Sequence, residues 1–565
     1  MYRLLPLCIL AILLLVSCSM RAANVPPGGN NTPPAANYDP QPADFDWQPG
    51  RNTLMVEVSD GTNLPTDVYL PAGEGPWPVM LIRTPYGKDA EEAYGLEVSQ
   101  KGFALVAQDA RGRFASEGEN IPLIGTDLGP HNDGYETIAW IMVQPWCNGK
   151  IGSLGGSALG MTQLYTAPGR PTGLACQFIG VAPASMYHEF VYHGGAFREE
   201  QMVGWIDSSS FDPVSLELYR QHPTYDEWWH KFSMVESAGE VVTPGMHFGG
   251  WFDTFSQGTI NTFLLRQHQG GEGARGRQWL VMGPWTHGGV GSTECGEIEF
   301  PEIAKQVPDN PYDSLMDYYL KDIDTGLLER PAVTYYVMGD VDDPAAPGNI
   351  WRMVEDWPPP ATKTSYYLHA DGSLNTSVPA GSETSNWTFD PADPPPTLGG
   401  RNLIIDKGIY DQRPAEERDD VLVFETPELD KALEVTGRVI CRFWVSCDQV
   451  DTDVAVRLCD VYPDGRSLLI ADGILRLRYR DSMIQTALLT PGQVYEVEVD
   501  LWSTSIIFAP GHRLRISVAG GNHPRWDVNP GTGELWEAGG STVVQHTTLY
   551  HSPDRPSALV LPVME

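Results

Sequence analysis

The sequence predicts an α/β domain built on a largely parallel sheet with helices on both faces, followed by an all-β sandwich. Three observations carry that prediction. Apolar strand-like runs alternate with helical spacing as far as Trp357, the alternation of a parallel sheet covered on both sides. Three strand-like runs end in glycine-bearing loops that present Ser157, Asp253 and His287 in that order. Beyond Trp357-Pro358-Pro359-Pro360 only short β-rich runs between Gly, Pro and Asp turns remain, the pattern of a β-sandwich.

The chain begins with Met1-Tyr2-Arg3 and the apolar run Leu4 to Val16. This reads as the positive end and core of a signal peptide, too short for a permanent membrane span. Leu15-Val16-Ser17-Cys18 resembles the lipobox of bacterial lipoproteins, which implies a signal peptide over 1–18 and lipidation of Cys18; the alternative is ordinary secretory cleavage near Ala22-Ala23. Residues 19–45 are rich in Pro, Gly, Asn and Ala and read as a flexible tether.

Leu54 to Val58 and Thr66 to Leu70, separated by Asp60-Gly61, predict a hairpin at the start of the sheet. Val79 to Arg83 follows as a buried strand whose exit, Thr84-Pro85-Tyr86-Gly87, places a phenol at the C-terminal edge, where open α/β sheets bind ligands. The next strand, Gly102 to Asp109, leaves into Arg111 to Gly118, where arginines and acids on one loop are expected to pair with each other. Gly134 to Val143 has helical spacing, and Lys150-Ile151-Gly152 begins the strand that delivers Ser157. Residues 184–241 interleave aromatics with charges without strand alternation. They read as a helical cap inserted into the α/β domain, 46–183 and 242–358. The cap's aromatics either line a substrate pocket or form the cap's own core. Residues 359–565 form the expected sandwich, of jelly-roll type.

A length of 565 residues sets an expectation of about three or four domains. With 73 acidic and 37 basic residues, a formal charge of −36 repels a phosphate backbone and argues against nucleic acid as a partner. Six cysteines lie beyond the leader, Cys147, Cys176, Cys295, Cys441, Cys447 and Cys459. They lack the close paired spacing of a zinc site, and several are expected to be buried thiols. His131 with Asp133 supplies only two ligands, which make no metal site. No metal or cofactor is expected.

A serine hydroxyl becomes nucleophilic when an imidazole takes its proton, and a carboxylate holds that imidazole in the right tautomer. Ser157, His287 and Asp253 fit those roles. Their chain order, Ser then Asp then His, is that of α/β-hydrolases, although Leu159 stands where a G-x-S-x-G motif has its second glycine. The backbone N–H of Ala158, next after the nucleophile, is one donor for the developing oxyanion. His247 lies within the strand leading to Asp253, and His188, His193, His222 and His230 lie on the cap without a strand-end setting.

Arg83 to Tyr86, Gln108 to Gly118, Gln144 to Lys150, Gly155 to Gly160, Gly250 to Asp253 and Gly283 to His287 together resemble the cocaine esterase and nonactin hydrolase group. That group is related to X-prolyl dipeptidyl peptidases and α-amino-acid ester hydrolases. Asp411-Gln412-Arg413 and Asp420 to Phe424 extend the resemblance into the C-terminal part. It implies an α/β-hydrolase domain with an inserted helical cap and a C-terminal jelly roll. It also implies Tyr86 as the second oxyanion donor. Where the family often has Tyr after the nucleophile, this chain has Ala158, which keeps the backbone donor and alters the pocket. The expected activity is cleavage of an ester, amide or short peptide through an acyl-enzyme. The peptidase alternative needs acids for a substrate amine, for which Glu189, Glu199, Glu200 and Asp207 are available on the cap. A non-catalytic surface module is the remaining alternative.

Overall fold

Alternate residues of the central strands bury against different helices, which fixes a two-faced sheet at the heart of the molecule. The computed structural model describes residues 38–122, 133–308, 311–537 and 539–565. Val79 and Leu81 pack with Ile138 and Ile141 of the helix Asp133–Met142. Met80 and Ile82 pack with Val98, Leu315 and Met316 on the opposite face. A two-residue period in a strand with no polar face is what a doubly covered sheet requires.

The sheet has ten strands: β1 (Gly50–Glu57), β2 (Asn63–Leu70), β3 (Trp77–Thr84), β4 (Ala104–Asp109), β5 (Cys147–Gly156), β6 (Leu174–Gly180), β7 (Gly245–Phe252), β8 (Gln278–Thr286), β9 (Val333–Val337) and β10 (Ile350–Val354). Their spatial order is β1-β2-β4-β3-β5-β6-β7-β8-β9-β10. From β4 to β9 neighbouring strands are parallel, and the ends are closed by antiparallel β1-β2 and β9-β10 pairs. The first hairpin turns at Gly61, whose φ of 84° suits glycine.

This order decides where the site is. Strands β3, β5, β7 and β8 all point the same way, so Tyr86, Ser157, Asp253 and His287 leave one rim of the sheet, with only β6 between the serine and the acid. The rim is the C-terminal edge, the usual ligand-binding side of an open parallel sheet.

The cap enters between β6 and β7. It holds α-helices at Glu199–Ser208 and Val214–Arg220, shorter turns, and one two-strand hairpin, Tyr192–His193 with Ala196–Phe197. The hairpin departs from the expected all-helical insert. Gly194 and Gly195 both have positive φ, 53° and 78°, which makes the tight turn possible. Arg476 N–H donates to Gly194 O at 2.8 Å, docking the hairpin on the C-terminal domain.

That domain contains two antiparallel sheets. One includes Leu433–Cys447, Gln545–Ser552 and Ala558–Val563, the other Leu422–Glu425, Arg513–Ala519, Asp453–Val461 and Ser467–Arg476. Its core is continuous with that of the hydrolase sheet, because Trp251, Leu280 and Tyr335 share one apolar cluster with Val435, Phe443 and Ile516.

Candidate active site

Ser157 sits between β5 and the helix Ala158–Thr166 at φ 57°, ψ −124°. An L-residue held there costs on the order of 1–3 kcal/mol. The surroundings hold it: Ser157 N–H donates to Gly180 O at 2.9 Å, and its own carbonyl accepts from Gly160 and Met161, each at 2.9 Å. The two flanking glycines are needed for close contact, and Gly155 also for its backbone, at φ 141°. A Cβ on Gly155 would lie 2.5 Å from that of Leu159, and one on Gly160 would lie 2.8 Å from that of Ala182 and 3.0 Å from Gly180 O. The close approach therefore falls at Gly160, one residue later than in a G-x-S-x-G motif, and Leu159 turns into the core.

His287 follows β8 and Asp253 follows β7. The His287 Nε2 lies 3.1 Å from Ser157 Oγ, and Nδ1 lies 2.7 Å from Asp253 Oδ2. The other carboxylate oxygen, Oδ1, accepts from Phe255 N–H at 2.6 Å. Asp253 is fully buried, whereas His287 retains 8 % exposure, so the acid is shielded while the imidazole faces the site. A carboxylate only accepts, so Nδ1 carries the proton and Nε2 is left with a lone pair toward the serine. Phe255 packs edge-on against the imidazole, ring centroids 5.5 Å apart.

Ala158 opens its helix, so its backbone N–H has no partner within that helix. Tyr86 leaves β3 beside it, with its N–H donating to Thr84 Oγ1 at 3.0 Å and its ring packed against the cluster that contains Ala158. Burial pushes the Tyr86 phenol up to about 12, against the opposing effects of a hydrogen bond from Trp205 and the charge of Arg113. The phenol is therefore a proton donor at neutral pH.

The loop after β4 behaves as a structural tie. Arg111 pairs with Asp133 at 2.6 Å and Asp60 at 2.9 Å. Arg113 reaches both the Tyr86 turn and the cap, donating to Pro85 O at 2.7 Å and Ser209 O at 2.6 Å. His247 is buried against Gln278 Oε1 at 3.0 Å, and burial, then Arg266, lowers it to about 3. His193 stacks on Trp502 with centroids 4.4 Å apart, and His222 pairs with Asp226 at 2.7 Å. Burial lowers His188 to about 4. His131 and Cys18 lie outside the described residues. Among the described residues no group of three or more His, Cys, Asp or Glu is arranged to hold a metal, and the six cysteines are free thiols.

Two of the four cap acids are committed, whereas Glu199 is half-buried with its Oε2 3.7 Å from His523 Nδ1 and making no hydrogen bond among the described residues. Glu200 accepts from the backbone N–H groups of Leu403 and Ile404 at 3.0 and 2.9 Å. Glu189 accepts from Ser185 N–H at 2.7 Å and Asn261 Nδ2 at 2.8 Å, and burial raises it to about 7. Asp207 is exposed. Most of the cap aromatics named here form the cap's own core. Tyr187, Tyr192, Tyr219 and Trp229 pack on one another, whereas Trp205 reaches Tyr86.

Two features escaped sequence reasoning. Trp205 was one aromatic among many in the cap. The buried arginines Arg198 and Arg401 tie the chain on either side of Asp253 to the cap and to the C-terminal domain: Arg198 donates to Thr254 Oγ1 at 2.6 Å and Arg401 to Trp251 O at 2.8 Å. No local pattern marks either.

Over an alignment 587 positions long, gaps included, the chain is 33% identical to the cocaine esterase of Rhodococcus sp., covering 91% of this chain and 98% of that protein. The chain belongs to the cocaine esterase and nonactin hydrolase family. It is a serine hydrolase acting on esters or peptides. Consistent with this, residues 60–215 and 207–289 match the X-Pro dipeptidyl-peptidase (S15) family, and 326–560 match the X-Pro dipeptidyl-peptidase C-terminal non-catalytic domain. An α-amino acid ester hydrolase has the same fold, with a TM-score of 0.77 at 25% identity over 95% of this chain and 100% of that one. So does an aminopeptidase from a marine sediment archaeon, Thaumarchaeota archaeon, with a TM-score of 0.78 at 24% identity over 94% of this chain and 100% of that one.

Proposed function

We propose that this family member hydrolyses carboxylic esters through an acyl-enzyme, with Ser157 as nucleophile, His287 as general base and acid, and Asp253 as the orienting carboxylate. The observation that carries the reading is the unbroken relay from Oγ to Nε2 at 3.1 Å and from Nδ1 to Oδ2 at 2.7 Å. Ser157 Oγ attacks the acyl carbon while Nε2 takes its proton. The carbonyl oxygen, now negative, is held by the Ala158 N–H and the Tyr86 O–H. Collapse expels the alcohol, which receives the proton from His287, and water repeats the sequence in reverse. Losing one oxyanion donor typically costs about 3 kcal/mol of transition-state stabilisation.

Esters are favoured over X-Pro peptides and α-amino esters because the two most buried of the cap acids that could receive a substrate amine already hold other groups. Glu200 is occupied by two backbone amides and Glu189 by Ser185 and Asn261. Side-by-side assays with p-nitrophenyl esters and X-Pro-p-nitroanilide, with Ser157→Ala as the blank, test this. Ester turnover with no anilide release supports it, and preferential anilide release overturns it. A fluorophosphonate adduct on Ser157 separates the enzyme from a non-catalytic surface module.

Export and anchoring through a lipidated Cys18 complete the proposal, carried by Leu15-Val16-Ser17-Cys18. Among the described residues no helix is long and apolar enough to cross a membrane. Cys18→Ala should move the protein from the membrane fraction to the soluble one.

A further inference from the structure

The Tyr86 hydroxyl is approached from the cap. Trp205 Nε1 lies 2.9 Å from Tyr86 Oη, and an indole N–H can only donate. The phenol therefore accepts here, and its one proton points elsewhere. Among the described residues none accepts that proton. Both rings are held. Trp205 lies between Phe190 and Phe211, at centroid distances of 5.0 and 4.8 Å. The Arg113 guanidinium covers Phe211 at 4.2 Å and donates to Pro85 O, the carbonyl just before Tyr86, at 2.7 Å. One arginine thus fastens the Tyr86 turn and the end of the Trp205 helix to each other.

We propose that Trp205 is a positioning residue for the oxyanion site: its indole N–H occupies a lone pair of the Tyr86 hydroxyl and so turns the phenol proton toward the oxygen that becomes negative during attack by Ser157. The proposal rests on the serine-hydrolase reading of this site with Tyr86 as an oxyanion donor. It adds that the cap, and not only the sheet rim, sets the direction of that donor. Without the indole, the phenol rotor is free to point its hydrogen at water or at the cap. A donor already aligned is favoured because nothing has to reorient as charge develops. The hydrogen bond also polarises the phenol O–H less than a cationic partner would, so the proton stays on Tyr86.

The test is a double-mutant cycle on ester hydrolysis using Trp205→Phe, Tyr86→Phe and the pair. Phenylalanine keeps an aromatic ring between Phe190 and Phe211 and removes the N–H together with part of the buried ring volume, a packing loss that the melts and KM report separately. The expected result is a roughly tenfold fall in kcat for Trp205→Phe with KM little changed, corresponding to about 1.4 kcal/mol. Adding Trp205→Phe to Tyr86→Phe should then cost nothing further, because the group being oriented is gone. Trp205→Phe should also weaken a boronate that mimics the tetrahedral intermediate more than it weakens substrate. Additive losses, or a loss confined to KM, would show that Trp205 is only a pocket wall and would overturn the proposal while leaving the Tyr86 role intact. Unchanged kcat in Tyr86→Phe itself would remove the oxyanion role that the proposal rests on. Thermal melts of each variant separate these outcomes from failure to fold.

Discussion

Replacing Asp253 by asparagine probes the relay with almost no change of shape. In the native site Oδ1 accepts from Phe255 N–H at 2.6 Å and Oδ2 accepts from His287 Nδ1–H at 2.7 Å. An asparagine has one acceptor and one NH2 group. If the NH2 faced Phe255 N–H, two donors would meet in a fully buried position, which costs about 1–3 kcal/mol. The amide oxygen therefore stays with Phe255 and the NH2 turns to the imidazole. His287 must then accept at Nδ1 and carry its proton on Nε2, the nitrogen 3.1 Å from Ser157 Oγ. In that tautomer the imidazole donates to the serine instead of accepting from it. The corresponding substitution in chymotrypsin-type enzymes lowers kcat about 10⁴-fold, or about 5 kcal/mol. The same order of loss is expected here, in kcat with KM nearly unchanged, because the tautomer alters the reacting proton and not the pocket. Steady-state kinetics on a p-nitrophenyl ester, with the rate of fluorophosphonate labelling as a second readout, measures it. A loss below about tenfold, or one expressed mainly in KM, would refute the tautomer reasoning.

Three further predictions follow from the same geometry. Ser157→Gly should abolish ester hydrolysis and raise the urea midpoint, since relieving φ 57° is worth about 1 kcal/mol to a residue without Cβ. Gly160→Ala should lower kcat by ~100-fold through displacement of the nucleophile turn, because its Cβ would stand 2.8 Å from that of Ala182; a rate within twofold of wild type would show that the turn adapts. Between the hydrolase sheet and the sandwich, buried His512 lies 2.9 Å from Asp460 and 3.4 Å from Asp340. Burial works to lower the His512 pKa, but the hydrogen bond and charge of Asp460, with Asp340, outweigh it and raise the value, while burial raises Asp460. Folding is thus favoured by protons at both groups. The His512 contribution is fully present below the unfolded histidine value of about 6.5 and is lost as pH rises through the folded one. The stability advantage of wild type over His512→Gln in urea should therefore shrink as pH rises above about 6.5, and a constant difference up to pH 9 would contradict this.

The alternation of strands and helices and the three strand-end residues could be read along the chain because each is a local pattern. Strand period and helix spacing record which face is buried, and a serine set among Gly155, Gly156 and Gly160 marks a turn that tolerates no bulk. His247 could be set aside for the same reason, as it falls inside a strand and not at its end. The cap hairpin was also locally written, in Gly194-Gly195, but its two-residue strands were too short to show a period. Other features had no local trace. That Trp205, among the cap's many aromatics, reaches Tyr86 depends on two segments 119 residues apart in sequence. That Glu200 holds backbone amides of Leu403 and Ile404 depends on two segments about 200 apart. The sequence by itself determined which groups could do the chemistry, because their types and their places at strand ends are properties of short stretches. Only the tertiary structure decided which of them meet and which partners each faces, because hydrogen bonds between distant segments are fixed by strand order and by the docking of cap, sheet and sandwich, and composition is silent on both.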